Sequence, residues 1–144
     1  MSDIDNVLPS YLEKASKEQK DAFFSALLHL SFVDGHTDER EFSFIKTAAE
    51  KNGLNDLDSL NYKDENDVLK KASIINDRHL ALELIREMCM LSHVDNNLSD
   101  EETLFIGRLG IKLGVEMEKI EQISNWVIDR IIWTEQAKII FEEK

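Results

Sequence analysis

The apolar positions of this chain recur every three or four residues, the spacing of one face of an α-helix. Strict alternation of apolar and polar residues, which marks a half-buried strand, does not occur. One proline and five glycines are too few for a protein built from hairpins. The pattern predicts an all-α protein with helices at about 8–15, 16–33, 38–52, 64–75, 77–94, 99–113 and 116–142, and a short helical turn within 55–61.

Start and stop signals agree with this periodicity. A capping box, in which the side chains at both ends satisfy free backbone N–H groups, fits three pairs: Ser16 with Gln19, Asp38 with Glu41, and Ser99 with Glu102. Gly53 and Gly114 each follow an apolar segment, where glycine ends a helix in left-handed backbone. The sequence therefore indicates where several of these helices begin and end.

The chain also repeats itself after 61 residues. Residues 27–54 and 88–115 align without a gap, and nine of the 28 aligned positions are identical. Each copy reads as a helix, a tight turn and a second helix. We expect one domain over 1–144, about seven helices in two pseudo-symmetric halves, with a long C-terminal helix.

Acidic residues gather at the turn of each repeat. Asp34-Gly35 and Asp95-Asn96 place residues that tolerate positive φ where the first helix ends. Clustered carboxylates are the ligand type that Ca²⁺ and Mg²⁺ prefer. The candidate ligands are Asp34, Glu41, Asp95 and Glu102, with Asp38 and Asp100 as helpers.

A purely structural interpretation of these acids stands beside the metal site. Asp38 and Ser99 fit N-caps, and Glu41 and Glu102 fit the far ends of the capping boxes. The turns do not form EF-hands, because Ile45 and Ile106 stand where the bidentate glutamate is due. Both capping and cation binding remain open at this point.

The histidines and the cysteine suggest no catalytic site. His36 is the only histidine inside an acidic turn, and His29 and His93 lie in apolar helix segments. Cys89 lies mid-helix between Met88 and Met90, which is typical of an inert buried thiol. We predict a non-enzymatic protein; an enzyme using a bound metal as a Lewis acid is the weaker alternative.

The C-terminal helix carries apolar side chains around more than half of its circumference. One stripe includes Ile120, Ile123 and Val127, and a second consists of Trp126, Trp133, Ala137 and Ile140. A helix of this kind is buried on several sides. The favoured interpretation is a central helix embraced by the two repeats. The alternative is a surface for a protein partner or for self-association, anchored by Trp126, Trp133 and Ile140.

The net charge of the chain narrows the classes of partner that it can bind. Seventeen basic and 29 acidic residues give a formal net charge of −12, which disfavours nucleic acid and anionic membranes. The chain has no apolar run long enough to cross a membrane and no basic-then-apolar leader at its start. A single cysteine excludes an internal disulfide. We expect a cytoplasmic protein that binds another protein.

The two turns carry a resemblance to a known family. SFVDGHTDERE, ending at Glu41, and SHVDNNLSDEE, ending at Glu102, resemble the acidic turns of the TerB-like tellurite-resistance family. The resemblance covers about residues 20–123. Asn96 departs from the pattern, since it replaces the glycine of the first turn.

This resemblance implies a helical domain of about seven helices in two related halves. It also implies divalent-cation binding, which carries over onto Asp34, Glu41, Asp95 and Glu102. The family is associated with bacterial stress responses, including tellurite resistance. The alternative function is an interaction domain that uses the tryptophan-bearing helix, with the acidic turns serving only as caps.

Overall fold

The computed structural model describes residues 10–33, 35, 39–57, 60, 62–93 and 99–142. Within those residues the chain forms six α-helices and no strand, which confirms the all-α prediction. The helices are α1 Lys17–Phe32, α2 Glu39–Lys51, α3 Glu65–Ala72, α4 Arg78–Ser92, α5 Asp100–Leu113 and α6 Met117–Phe141.

The helix predicted over 8–15 is not formed in residues 10–15. There the chain makes a turn, in which the Ala15 N–H donates to the Leu12 carbonyl at 3.0 Å. The carboxylate of Glu83 on α4 accepts hydrogen bonds from the Ser10 hydroxyl and from the N–H groups of Tyr11 and Leu12. These N–H donors are satisfied from a distant helix, so the segment is fixed without helical bonds of its own.

Helices α1 and α4 form the centre of the molecule. α1 contacts α2, α3, α4 and α5, and α4 contacts α1, α2, α5 and α6. Every residue of α1 from Ala22 to Leu27 is buried, as expected of a helix covered on all sides. The largest fully buried side chains are Phe23, Phe24, Leu27, Leu30, Ile45, Leu80, Leu84, Ile85, Met88, Leu91, Phe105 and Leu109.

The second helices of the two repeats end in the same way. Gly53 has φ +83° and Gly114 has φ +73°, the left-handed backbone that glycine adopts without strain. The residue after each glycine donates its N–H five residues back, from Leu54 to Ala49 and from Val115 to Gly110, both at 2.9 Å. Both glycines thus close the same C-terminal motif.

The prediction that the C-terminal helix is central is wrong. α6 packs on α4 and α5, and of its 25 residues only Ile120 and Val127 are buried. It approaches α5 closely at Gly110, where an added Cβ would lie too near Cδ1 of Ile120 and this side chain would have to move. No helix in the described part of the chain is long and apolar enough to span a membrane.

Candidate functional site

The structure describes half of the predicted cation ligands. Glu41 and Glu102 lie in the first turns of α2 and α5 and are buried, whereas Asp100 is exposed. The predicted ligands Asp34, Asp38 and Asp95, like His36, lie outside the described residues.

Glu102 has a structural role that the sequence predicts. Its Oε1 accepts from the Ser99 N–H at 3.0 Å, and its own N–H donates to the Ser99 Oγ at 3.1 Å. This is the complete capping box. One carboxylate oxygen of Glu102 is therefore engaged with backbone.

The metal prediction stays a prediction. In the stretches that the structure describes, no group of three or more His, Cys, Asp or Glu side chains is arranged to hold a metal ion. Both turns include undescribed residues, so this search did not cover the predicted sites as a whole.

Helix α6 carries seven exposed large apolar side chains, more than any other described helix. Trp126 and Trp133 are each about half exposed, and Ile140 and Phe141 are more exposed still. Ile132 and Ile139 extend the apolar surface round the helix. Contiguous apolar surface of this kind marks interaction sites rather than ordinary solvent-facing helix. The sequence indicated this surface only as the alternative to a central helix.

A cavity of about 400 Å³ opens at the start of this face. Tyr11 and His79 stack with ring centroids 4.7 Å apart on one side, and Trp126 lines the other. Lys119 stands among the lining residues and donates to the side-chain oxygen of Gln122 at 2.9 Å. The cavity thus combines three aromatic rings with two aliphatic and three charged side chains, which are Leu82, Ile123, Glu83, Arg86 and Lys119.

An ion-pair cluster separates this cavity from a larger one. Arg86 Nη2 lies 3.1 Å from Glu87 Oε1 and 3.8 Å from Glu83 Oε2. Burial raises the pKa of Glu87 above its ordinary value, although Arg86 opposes the shift. Glu83 and Arg86 also line a second cavity, of about 800 Å³, between α1, α2 and α4. The sequence pattern did not predict this cluster.

A second ionic group joins three helices. Arg108 on α5 binds Glu65 on α3 through two hydrogen bonds of 2.6 and 2.9 Å, and this lowers the pKa of Glu65. His29 Nε2 on α1 lies 3.6 Å from the same carboxylate. Burial nevertheless lowers the pKa of His29, because desolvation outweighs the attraction of Glu65.

Cys89 lines a cavity of about 230 Å³ between α4, α5 and α6, together with Ser124 and His93. Burial raises the pKa of the Cys89 thiol to about 11, so it stays protonated at neutral pH. Its position supports the prediction of an unreactive core thiol.

Comparisons with protein-family models, with curated proteins and with solved structures found no match to this chain.

Proposed function

We propose that this chain is a non-enzymatic interaction module of the TerB-like type, which contacts another protein through the exposed face of α6. The observation that carries the proposal is the half-exposed pair Trp126 and Trp133 with Ile140, spaced seven residues apart along one helix. Tryptophan is enriched among the residues that dominate binding energy at protein interfaces. The −12 charge of the chain favours a protein over nucleic acid as the partner.

The test is affinity capture from an extract of the cells that make the protein, with three forms of the chain as bait. Trp126→Ala combined with Trp133→Ala should lose the partners that the unchanged chain retains. Ile111→Ala is the control, because Ile111 is an exposed apolar residue on a different helix, α5. The same set of bound proteins for all three baits would contradict the proposal.

A second proposed function is divalent-cation binding at the two turns, by Asp34, Glu41, Asp95 and Glu102. The specific observation in its favour is that Glu41 and Glu102, at matching repeat positions, are both buried. Buried carboxylates need compensation by hydrogen bonds or by a cation. Both residues have polar interactions within the protein, including the capping box of Glu102, so capping alone remains the competing account.

Calorimetry with Ca²⁺, Mg²⁺, Mn²⁺ and Zn²⁺ separates these accounts. If the turns bind a cation, the unchanged chain gives heat and a higher melting temperature, and Asp34→Asn with Asp95→Asn gives neither. Asp129→Asn with Glu135→Gln removes the same formal charge from exposed positions on α6 and is the matched control. Absence of heat and of stabilisation at millimolar metal would contradict cation binding.

We also propose how the module arose and where in the cell it acts. Residues 27–54 and 88–115 descend from one duplicated hairpin and form two pseudo-symmetric halves. The protein acts in the bacterial cytoplasm, in a stress response such as tellurite resistance. Support comes from the repeat in the sequence and from the matching helix ends at Gly53 and Gly114.

A further inference from the structure

We infer that the partner of the α6 face is a second copy of this chain, bound antiparallel so that each copy's Phe141 enters the other copy's aromatic cavity. The inference rests on the proposed interaction through α6 and names its partner.

The residues on this face have the spacing of a helix that pairs with another helix. Positions 119, 123, 126, 130, 133, 137 and 140 follow each other at alternating intervals of four and three. This is the seam spacing of paired helices. The residues are Lys119, Ile123, Trp126, Arg130, Trp133, Ala137 and Ile140.

The seam also fits the seam of a second copy that runs in the opposite direction. With Arg130 level with Trp133 of the second copy, Trp126 comes level with Ala137, and Ile123 with Ile140. Each tryptophan then meets a small side chain or a guanidinium, which stacks favourably on an indole ring. An in-register parallel pair would instead place Arg130 against Arg130 and each tryptophan against its copy.

This register also brings an aromatic side chain of the second copy to the cavity. In the same alignment, Phe141 of the second copy comes level with Gln122, which lines the cavity. Phe141 is 83% exposed, and the cavity that it reaches is lined by Tyr11, His79 and Trp126. Aromatic side chains gain from contact with one another beyond the area that they bury.

The part of α6 that carries most of the seam has no net charge, although charged residues flank it. In the antiparallel register the exposed Glu142 comes level with Glu121 of the other copy, and Lys119 lies two residues from Glu121 along the chain. Within 124–141, Asp129 and Glu135 balance Arg130 and Lys138, so this stretch is neutral in a chain of −12. Self-association here therefore avoids the repulsion of the remaining surface.

The available area indicates a weak dimer. Trp126, Trp133 and Phe141 are 43%, 53% and 83% exposed, which at about 150–250 Å² per aromatic side chain gives about 350 Å² on each copy. Adding Ile140 and its neighbours brings the total to about 1,000 Å² for the pair, the lower end for specific interfaces. Exchange between monomer and dimer at micromolar concentration is expected.

Sedimentation of the full chain across a concentration series tests the dimer. The unchanged protein should shift from monomer to dimer, and Trp133→Ala and Phe141→Ala should each raise the dissociation constant at least about tenfold. Ile111→Ala, an equally exposed apolar truncation on α5, should leave it within about twofold. Both Phe141 and Ile111 are too exposed for their truncation to threaten folding.

Disulfide trapping tests the register. Asp129 and Gln136 are exposed positions beside the seam, and the natural Cys89 is buried. A mixture of Asp129→Cys and Gln136→Cys proteins should cross-link, because the antiparallel register brings these positions together. Gln136→Cys alone should not, because its two copies lie about 13 Å apart along the axis.

The outcomes separate the inference from the function on which it rests. A monomer at every concentration overturns the second copy as partner, and loss of other captured proteins by the tryptophan variants then still supports the α6 face. If the dissociation constant of the dimer is unchanged by Trp133→Ala and by Phe141→Ala, the α6 face is not the contact of the dimer. Efficient cross-linking of Gln136→Cys alone overturns the antiparallel register.

Discussion

The two repeated hairpins, α1–α2 and α4–α5, end alike but are buried to different depths. α2 buries Glu41, Ile45 and Ala49, whereas α5 buries a longer set of Glu102, Phe105, Ile106, Leu109 and Gly110. The difference follows from the neighbours of each helix, because α5 packs on α1, α3, α4 and α6, whereas α2 packs mainly on α1 and α4. Related local sequences thus give the same helix ends, while the depth of burial depends on which other part of the chain packs on top.

The largest effect should come from the phenylalanine that the two hairpins share. Phe105 is fully buried and packs its ring 4.8 Å from that of His29, whereas its counterpart Phe44 is only partly buried. Phe105→Ala should lower the free energy of unfolding by about 3–5 kcal/mol, and Phe44→Ala by about half as much. Urea unfolding of both variants measures this, and equal losses would remove the contrast between the hairpins.

A smaller effect is expected where Gly110 stands opposite Ala49 in the repeat. Gly110→Ala should cost about 1 kcal/mol, because the new methyl group meets Cδ1 of Ile120 and this outweighs the gain in helix propensity. Thermal or urea unfolding measures the change.

A double variant isolates the cause of that loss. Ile120→Val removes Cδ1, so adding Gly110→Ala to it should cost nothing further and should recover the gain in helix propensity, up to about 1 kcal/mol. If the two losses simply add, the contact between α5 and α6 is not what requires glycine at this position.

Removing the N-cap of α5 should lower the free energy of unfolding by about as much as Gly110→Ala, or slightly less. Ser99→Ala leaves the N–H of Glu102 without its acceptor and should lower the free energy of unfolding by about 1 kcal/mol. Ser99→Asn, which keeps a capping oxygen, is the control and should lose less than half of that. Similar losses for both variants would assign the effect to something other than the cap.

The smallest expected effect is a pH dependence confined to the first hairpin. Burial lowers the pKa of His29 below 6.5, so the unfolded chain takes up the proton more readily than the folded one. Stability should therefore fall as the pH drops below about 6.5. The matching position in the second hairpin is Met90, which does not titrate.

Unfolding curves for the unchanged chain and for His29→Met between about pH 7.5 and pH 5 test this. The variant should show a flatter profile, because the other titrating groups are common to both proteins. Parallel profiles would mean that the proton on His29 is not coupled to folding.

The sequence predicts those features of this fold that are satisfied within a few residues. The capping boxes at Ser16 and Ser99 are both formed, and Gly53 and Gly114 end their helices. Each of these signals needs only a side chain and a backbone group one turn apart, so the local sequence contains all of the information.

The features that it missed depend on distant partners. Residues 10–12 are held by Glu83, more than 70 positions later, and no local pattern announces that contact. Because apolar residues lie around most of α6, the sequence likewise does not indicate which side of this helix packs against the rest of the protein. Glu83, Arg86 and Glu87, charged residues within an otherwise apolar helical segment, were the available signal for the buried cluster.

The position of α1 has a consequence for biosynthesis. This helix is synthesised before α2, α3, α4 and α5, which together cover its buried surface. Until α4 has been translated, Phe23, Phe24 and Leu27 are covered only in part and stay accessible to water and to chaperones. Stable packing of α1 is therefore expected only after α4 has been made.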